Sequence, residues 1–427
     1  MKSLDLESIN CYFSFMLKYN LKKIQENKDK NMPENTEKNK KIHLWLISGE
    51  ESGDIYGASL INELQKISGQ DNIKISAMGG KRIAQTGAEI MVDATELGVV
   101  GLFEILEMIG TFIKIFRMLC RRAAEERPDA VILIDYPGFN MRFARQMKKI
   151  GIPVIWYISP QVWAWKKKRK YKLAEYCAKM MVIFPFEVDV YQDTKLDTEF
   201  VGHPLVDVIR ERTNPEIKRD PNRVLLLPGS RKNEIYRLFE PMLDAASLLH
   251  KEKPFLKFTV CAPRKKVYEN LKKIYEQYCT KHKNDNLPEI DITLGETAEW
   301  MQKAIAGIAA SGTVTMECAI AGLPLAVGYK LQSLTFFLAN AIVTLNYFTM
   351  VNIISQKLIF EEFLQEDVNG KMLSGALKKI LPDGERRTGV LQAMKEMTEE
   401  LSAGSGNAAN QAAQCILKTL KTINKNS

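Results

Sequence analysis

Apolar residues in this chain concentrate in short runs, most of them unbroken. Each run is followed by a polar or glycine-containing loop and then by a segment of helical period. In the first half the runs are residues 43–48, 73–78, 130–134, 154–158 and 180–184. The second half repeats them at 223–227, 258–261, 290–293, 304–309 and 325–329. Runs that do not alternate with polar residues predict strands buried on both faces, as in parallel sheets. The segments 55–67, 139–150, 234–249 and 314–321 predict helices. Residues 128–172 condense the pattern: a run ending at Asp135, a helix closed by Gly151 and Pro153, and a run ending at Ser159-Pro160. That is a β-α-β unit.

The prediction is an α/β protein with two Rossmann-like, doubly wound parallel-sheet domains facing a central cleft. The first spans 41–206 and the second 223–384. A polar linker with Pro215 and Pro221 covers 207–222, and a helical segment covers 385–427. Residues 1–40, rich in Lys and Asn, read as a disordered extension or as a mis-called start upstream of Met32. A membrane-touching amphipathic helix is the other reading of that stretch.

Composition narrows the picture. A chain of 427 residues is too long for one ordinary core. The formal net charge of +9 is clustered at 18–41 and 166–172, which does not describe a nucleic-acid surface. Seven scattered cysteines without a CxxC exclude a disulfide framework and point to a reducing compartment. Four spread histidines without HExxH give no metal site. No run reaches the length of a membrane span, and the acidic, briefly apolar N-terminus is no secretory signal.

Candidate chemistry lies where strands end, because ligands of open parallel sheets sit beyond the carboxyl ends of the strands. Asp135 is there, as a reaction centre or as a cap that braces a turn. The loop Gly49, Glu50, Ser52, Asp54 offers backbone N–H groups to an anion, or is a plain turn in which Gly49 and Gly53 reverse the chain. Ser230 and Arg231 follow the 223–227 run. Ser311, Gly312 and Thr313 open a helix carrying Glu317. A helix start with hydroxyls suits a pyrophosphate, Glu317 suits ribose hydroxyls, and Arg231 suits a phosphate. Residues 95–122 are more apolar than one helix face requires, with Val99, Val100, Leu102, Phe103, Leu106 and Phe112 close together. They read as core, or as a patch for a bilayer or acyl chains. Trp163, Trp165, Lys166 and Lys167 combine interface aromatics with phosphate-seeking cations.

These segments resemble the lipid-A-disaccharide synthases, glycosyltransferases of family 19. The resemblance rests on SGEESGDIYGASL, ELGVVGLFEIL, IDYPGFNMRFAR, YISPQVWAWKKKR, FPFEVDVY, FVGHPLVD, LLPGSRKNEI, ASGTVTMECAIAGLPLAVGYK and NIISQKLIFEEFLQED, in that order between residues 48 and 367. It implies a GT-B fold and no cofactor or metal. The implied substrates are UDP-2,3-diacylglucosamine and 2,3-diacylglucosamine 1-phosphate, joined with inversion into a β-1,6-linked disaccharide 1-phosphate with release of UDP. It also implies a peripheral enzyme on the cytoplasmic face of the inner membrane, monomeric or homodimeric. Asp135 matches the family's essential aspartate. Ser230, Ser311, Thr313 and Glu317 match nucleotide-binding positions; Arg231 and Gly312 are placed with them on the UDP-sugar, and without a metal Arg231 and helix N-termini must stabilise the leaving group. Asn352 matches a functional asparagine placed with the catalytic set, and Gln365, Glu366 and Asp367 are candidates at the cleft edge. Many members have a proline before that asparagine, where this chain has Met350-Val351. Two other readings stand beside this one: another UDP-sugar enzyme of the same fold, an epimerase or peptidoglycan-type transferase, and a non-catalytic membrane lipid-binding protein.

Overall fold

Two parallel sheets carry the structure. In the computed structural model, which describes residues 41–94, 104–164, 166–283, 285–330, 347–402, 404 and 407–425, the first sheet has seven strands and the second six. The first takes β1 (Ile42–Ile47), β2 (Ile73–Gly79), β3 (Glu89–Asp93), β4 (Ala130–Ile134), β5 (Val154–Tyr157), β6 (Lys179–Val182) and β7 (Thr198–Phe200), in the order β3-β2-β1-β4-β5-β6-β7. The second takes β8 (Arg223–Leu227), β9 (Lys257–Ala262), β10 (Ile290–Leu294), β11 (Ala306–Ala310), β12 (Leu325–Tyr329) and β13 (Glu361–Leu364), in the order β10-β9-β8-β11-β12-β13. The order reverses direction beside β1 and again beside β8, the doubly wound arrangement the apolar runs predict. The runs are continuous because the strands are covered on both faces: all of β4, β5 and β11 is buried.

Of the four edge strands, β3, β7 and β13 lie outside the apolar runs. β3 has no buried residue and β13 only Phe363. Charged side chains suit such exposed edges.

The predicted linker needs correction. Residues 204–212 form a helix, Pro204–Arg212, not an irregular connection. Pro204 starts it, the His203 ring accepts the Leu205 N–H at 3.1 Å, and Leu205, Val206, Val208 and Ile209 are buried. An apolar stripe three and four residues apart outweighs the polar composition around it. This helix packs against the helix Thr313–Ile320 that follows β11. At the chain's end the helix Ala408–Lys425 lies along the first crossover helix, Glu51–Ser68, and Asp207 accepts the Ala408 N–H at 2.7 Å. Both sheets thus belong to one compact unit, residues 42–427.

The first crossover helix begins at Glu51, four residues earlier than the sequence pattern predicts. Ser52, Gly53 and Asp54 therefore sit in its first turn, not in a loop. Gly49 and Gly53 serve close approach, not chain reversal. A Cβ on Gly53 would overlap Ser48 Oγ, and one on Gly49 would overlap the Tyr136 ring.

Candidate active site

Asp135 follows β4 directly and is held in an uncommon backbone. It and Tyr136 both adopt positive φ, 42° and 48°. Consecutive non-glycine residues in the left-handed region are costly and persist only when the surroundings enforce them. Three interactions do so. The Asp135 N–H donates to Tyr157 O at 3.1 Å. The buried Asn140 side chain donates to Asp135 O at 2.8 Å and to Ile134 O at 3.2 Å. Tyr136 stacks on Phe139 while its ring fills the space left by Gly49.

The result is a half-buried carboxyl facing a cleft. Burial, with the nearby Glu50 carboxylate adding to it, raises its pKa to about 6, against a stabilising N–H from Tyr136. A base poised there accepts a proton near neutral pH without being protonated itself.

The cleft around Asp135 has a volume of about 630 Å³. Its first wall carries Tyr56, Ser159, His203 and Arg212, and its second Thr313, Met316 and Glu317. Ser159 follows Ile158, another left-handed residue at φ 68°, and its hydroxyl shares a 2.7 Å hydrogen bond with Tyr191. Burial drops the His203 imidazole to about 4, so it is neutral in the fold. Burial together with the Glu317 charge pushes the Tyr56 phenol up to about 12. Glu317 is itself raised by burial, and the Arg212 charge opposes that shift.

A second cavity, of about 480 Å³, adjoins the first through Thr313 and Glu317, which line both. Ser230, Arg231, Ser311 and Gly312 line the rest of its predicted polar face. The six residues that the sequence singles out for a nucleotide are thus brought together. The helix Thr313–Ile320 starts there with Gly312 before it and no side chain capping its first turn. Such an end presents N–H groups and a partial positive charge. Arg231 is largely exposed and pairs with Glu234 at 3.1 Å. Gly229, at φ 100°, turns the loop where a side chain would be strained and would meet Glu234 Oε2 at 2.7 Å.

A family model described as lipid-A-disaccharide synthetase matches residues 44–416. The chain belongs to the lipid-A-disaccharide synthase family. Synthases of that name from Trichlorobacter lovleyi and Coxiella burnetii are 34% and 33% identical over 385 and 378 residues, covering 88% and 87% of this chain and 97% and 96% of theirs. Members are glycosyltransferases of lipid A biosynthesis. Solved structures share the GT-B fold at lower identity. MurG of Acinetobacter baumannii has a TM-score of 0.52 at 16% identity, covering 88% of this chain and 99% of its own. The UDP-GlcNAc 2-epimerase of Neisseria meningitidis, solved with UDP-GlcNAc bound, has a TM-score of 0.53 at 13% identity, covering 89% and 100%.

In this member of the synthase family, several residues read from the sequence take other places. Asn352 is 0% exposed and lines neither cavity. Its amide is saturated: it donates to Phe360 O and Glu362 Oε1, and accepts from the Ile359 and Phe360 N–H groups. In this structure the side chain has no free donor or acceptor to offer a substrate; it positions the segment around Phe360 and Glu362. Asp54 is likewise occupied, accepting from the backbone N–H groups of Gly80, Arg82 and Ile83. It braces the loop after β2 instead of meeting the acceptor. Gln365, Glu366 and Asp367 form a short 3-10 turn after β13 and line neither cavity.

Trp163 is tied into the fold by its neighbours and does not project freely. Its indole N–H donates to Glu187 at 3.2 Å and its ring meets Phe186 edge-on. Glu187, 1% exposed, also accepts from the Ile183 and Phe184 N–H groups, and burial raises its pKa to about 7. Sequence reasoning missed its role, because FPFE carried only a family signal there. Lys166 and Lys167 are exposed and line a shallow cavity with Lys168, Arg169 and Lys172. Phe112 is half-buried, while Phe116, farther along the same helix, is core against Phe139 and Phe143. Val99, Val100, Leu102, Phe103 and Trp165 lie outside the described residues, as does the Leu106 side chain. Among the described residues no helix is long and apolar enough to cross a membrane.

The fit of Tyr136 over Gly49 gives a direct test of how the base is held. Gly49→Ala places a methyl group inside the Tyr136 ring and must push the 135–136 turn aside. Displacing a reacting group by about 1 Å costs about 10²-fold in rate. The expected result is a kcat lower by about that factor, with UDP affinity retained by calorimetry. Wild-type kcat in this variant would show that the turn does not depend on the close fit.

Proposed function

We propose that this synthase-family enzyme transfers the glucosaminyl unit of UDP-2,3-diacylglucosamine to 2,3-diacylglucosamine 1-phosphate, with inversion at the anomeric carbon. The observation that carries the reading is the continuity of the two cavities. A carboxyl poised near neutral pH opens into an anion-suited helix start through two shared residues, Thr313 and Glu317. UDP binding in the second cavity is supported by two solved structures of this fold, the Neisseria meningitidis epimerase with UDP-GlcNAc and S. aureus MnaA with UDP.

In the proposed step the acceptor 6-hydroxyl attacks C1 of the donor sugar. Its proton passes to Asp135 as the C1–O bond to UDP breaks and the electron pair leaves on the diphosphate. One displacement turns an α-linked donor into a β-linked product. The N-terminus of the helix Thr313–Ile320 and the Arg231 guanidinium face the charge that develops on UDP. Glu317 receives ribose hydroxyls. The acyl chains keep both substrates at a bilayer, and the cations around Lys166 and Lys167 suit its anionic surface on the cytoplasmic side of the inner membrane.

The test is UDP release by purified protein in mixed micelles, with and without acceptor. Acceptor-dependent release with a tetraacyl disaccharide product supports the reading. Release without acceptor points to a hydrolase or epimerase, and no release with lipid binding retained points to a non-catalytic lipid-binding protein.

The pH profile follows from the Asp135 environment. The base works only when deprotonated. Its pKa of about 6 in the free enzyme means that kcat/KM falls tenfold per pH unit below about pH 6 and is level above it. Because the Glu50 charge contributes to that raised value, Glu50→Gln is expected to move the acid limb to lower pH. An acid limb that stays in place in this variant would remove Glu50 from the tuning.

A further inference from the structure

The cavity around Asp135 is short of positive charge for the substrates proposed to enter it. Glu51, Asp135 and Glu317 line it, His203 is neutral, and Arg212 is, among the described residues, the single lining residue with a permanent positive charge. Arg212 ends the helix Pro204–Arg212, within the stretch whose composition reads as linker. Its guanidinium makes no hydrogen bond or ion pair among the described residues, while its backbone carbonyl accepts from Gln302 at 3.2 Å. Arg210, two positions earlier, is turned onto Ser402 Oγ at 3.0 Å. Residues two apart on a helix do not share a face, so one arginine is committed to the fold and the other is left to the cleft.

We infer that Arg212 is the phosphate-binding cation of the Asp135 cavity, receiving the phosphate of a lipid-linked sugar substrate through its planar fork. The inference rests on the glycosyltransferase reading above. Four observations support it. The helix beneath Arg212 is anchored by buried Leu205, Val208 and Ile209, so the side chain projects from a rigid base. It packs against the helix Thr313–Ile320, which puts Arg212 where the two halves of the site meet. Its charge reaches Glu317, which lines both cavities, and Tyr56 of the first. An unpaired guanidinium needs no partner displaced before it takes two phosphate oxygens, a geometry lysine does not reproduce. The phosphate is either the anomeric monoester of the acceptor or the diphosphate of the donor. The chemistry is shared, and the experiment separates them.

The experiment compares the full-length wild type with Arg212→Gln and Arg212→Lys. It measures KM for each substrate, kcat, inhibition by UDP, and Tm. Removing a charge-assisted hydrogen bond to substrate, in a variant that still folds, raises KM by about 10- to 100-fold, with kcat changed far less. Arg212→Lys recovers part of that loss. A rise confined to the acceptor KM, with UDP inhibition unchanged, assigns the acceptor phosphate. A rise in donor KM together with weaker UDP inhibition assigns the diphosphate. Unchanged KM values overturn the inference. A lowered Tm with unchanged KM also overturns it and makes Arg212 a latch toward Glu317. Wild-type protein without acceptor-dependent UDP release overturns the functional reading and this inference with it, whereas wild-type turnover with indifferent variants overturns the inference alone.

Discussion

Asp135→Asn is expected to lower kcat by about 10²- to 10⁴-fold while leaving UDP affinity intact. The substitution is well matched to the site. Asn tolerates the left-handed backbone at φ 42° better than most residues, so the strained turn is preserved. The amide keeps the volume of the carboxylate and accepts the Tyr136 N–H, but it cannot take a proton from the attacking hydroxyl. UDP is proposed to bind in the second cavity, which Asp135 does not line, so UDP affinity measured by calorimetry is expected to match wild type. The acid limb of the pH profile should disappear with the carboxyl. Turnover near wild type in this variant would remove Asp135 from the mechanism and reopen the choice of base among the carboxylates of the cleft.

Asn352→Ala is expected to cost about 3–5 kcal/mol of stability, read as a loss of Tm or of the denaturation midpoint. One amide here satisfies four groups: the Ile359 and Phe360 N–H, the Phe360 carbonyl and Glu362 Oε1. Glu362 in turn accepts from the Phe348 and Thr349 N–H groups at 2.9 Å, so the asparagine holds the approach to β13 as a network. Truncation strands buried donors and acceptors in a site that is 0% exposed. Activity should fall with the folded fraction, not through kcat of the folded enzyme. A variant of wild-type stability but lost kcat would return Asn352 to the catalytic set.

Much of the fold is legible along the chain because strands buried on both faces must be apolar without interruption. β4, β8 and β12 coincide with the runs read from the sequence. The nucleotide-suited loops were also legible, since glycines and hydroxyls at the end of an apolar run have few other reasons to recur. What escaped was whatever depends on distant neighbours. The edge strands β3 and β13 are only partly covered, and the acidic residues Glu89, Asp93, Glu361 and Glu362 cut their apolar stretches short. The helix Pro204–Arg212 is stabilised by what it packs against, and local composition reads it as a linker.

The order of residues is enough to define the parallel α/β class, the repeated strand–loop–helix units, the family, and the short list of carboxylates and hydroxyls at strand ends. Those properties are local: they depend on periodicity and on residues within one loop. Which of the listed residues face a cavity is a matter of tertiary packing. Asp54 and Asn352 are as polar as Asp135, yet their hydrogen-bonding capacity is consumed by backbone groups elsewhere in the chain. Asp135 keeps most of its carboxyl's accepting capacity for the cleft, with only the Tyr136 N–H on it, because Asn140 and Tyr157 hold its backbone instead. Whether a polar group is spent on the fold or left for chemistry is set by the partners that folding brings to it, and only the folded chain contains that information.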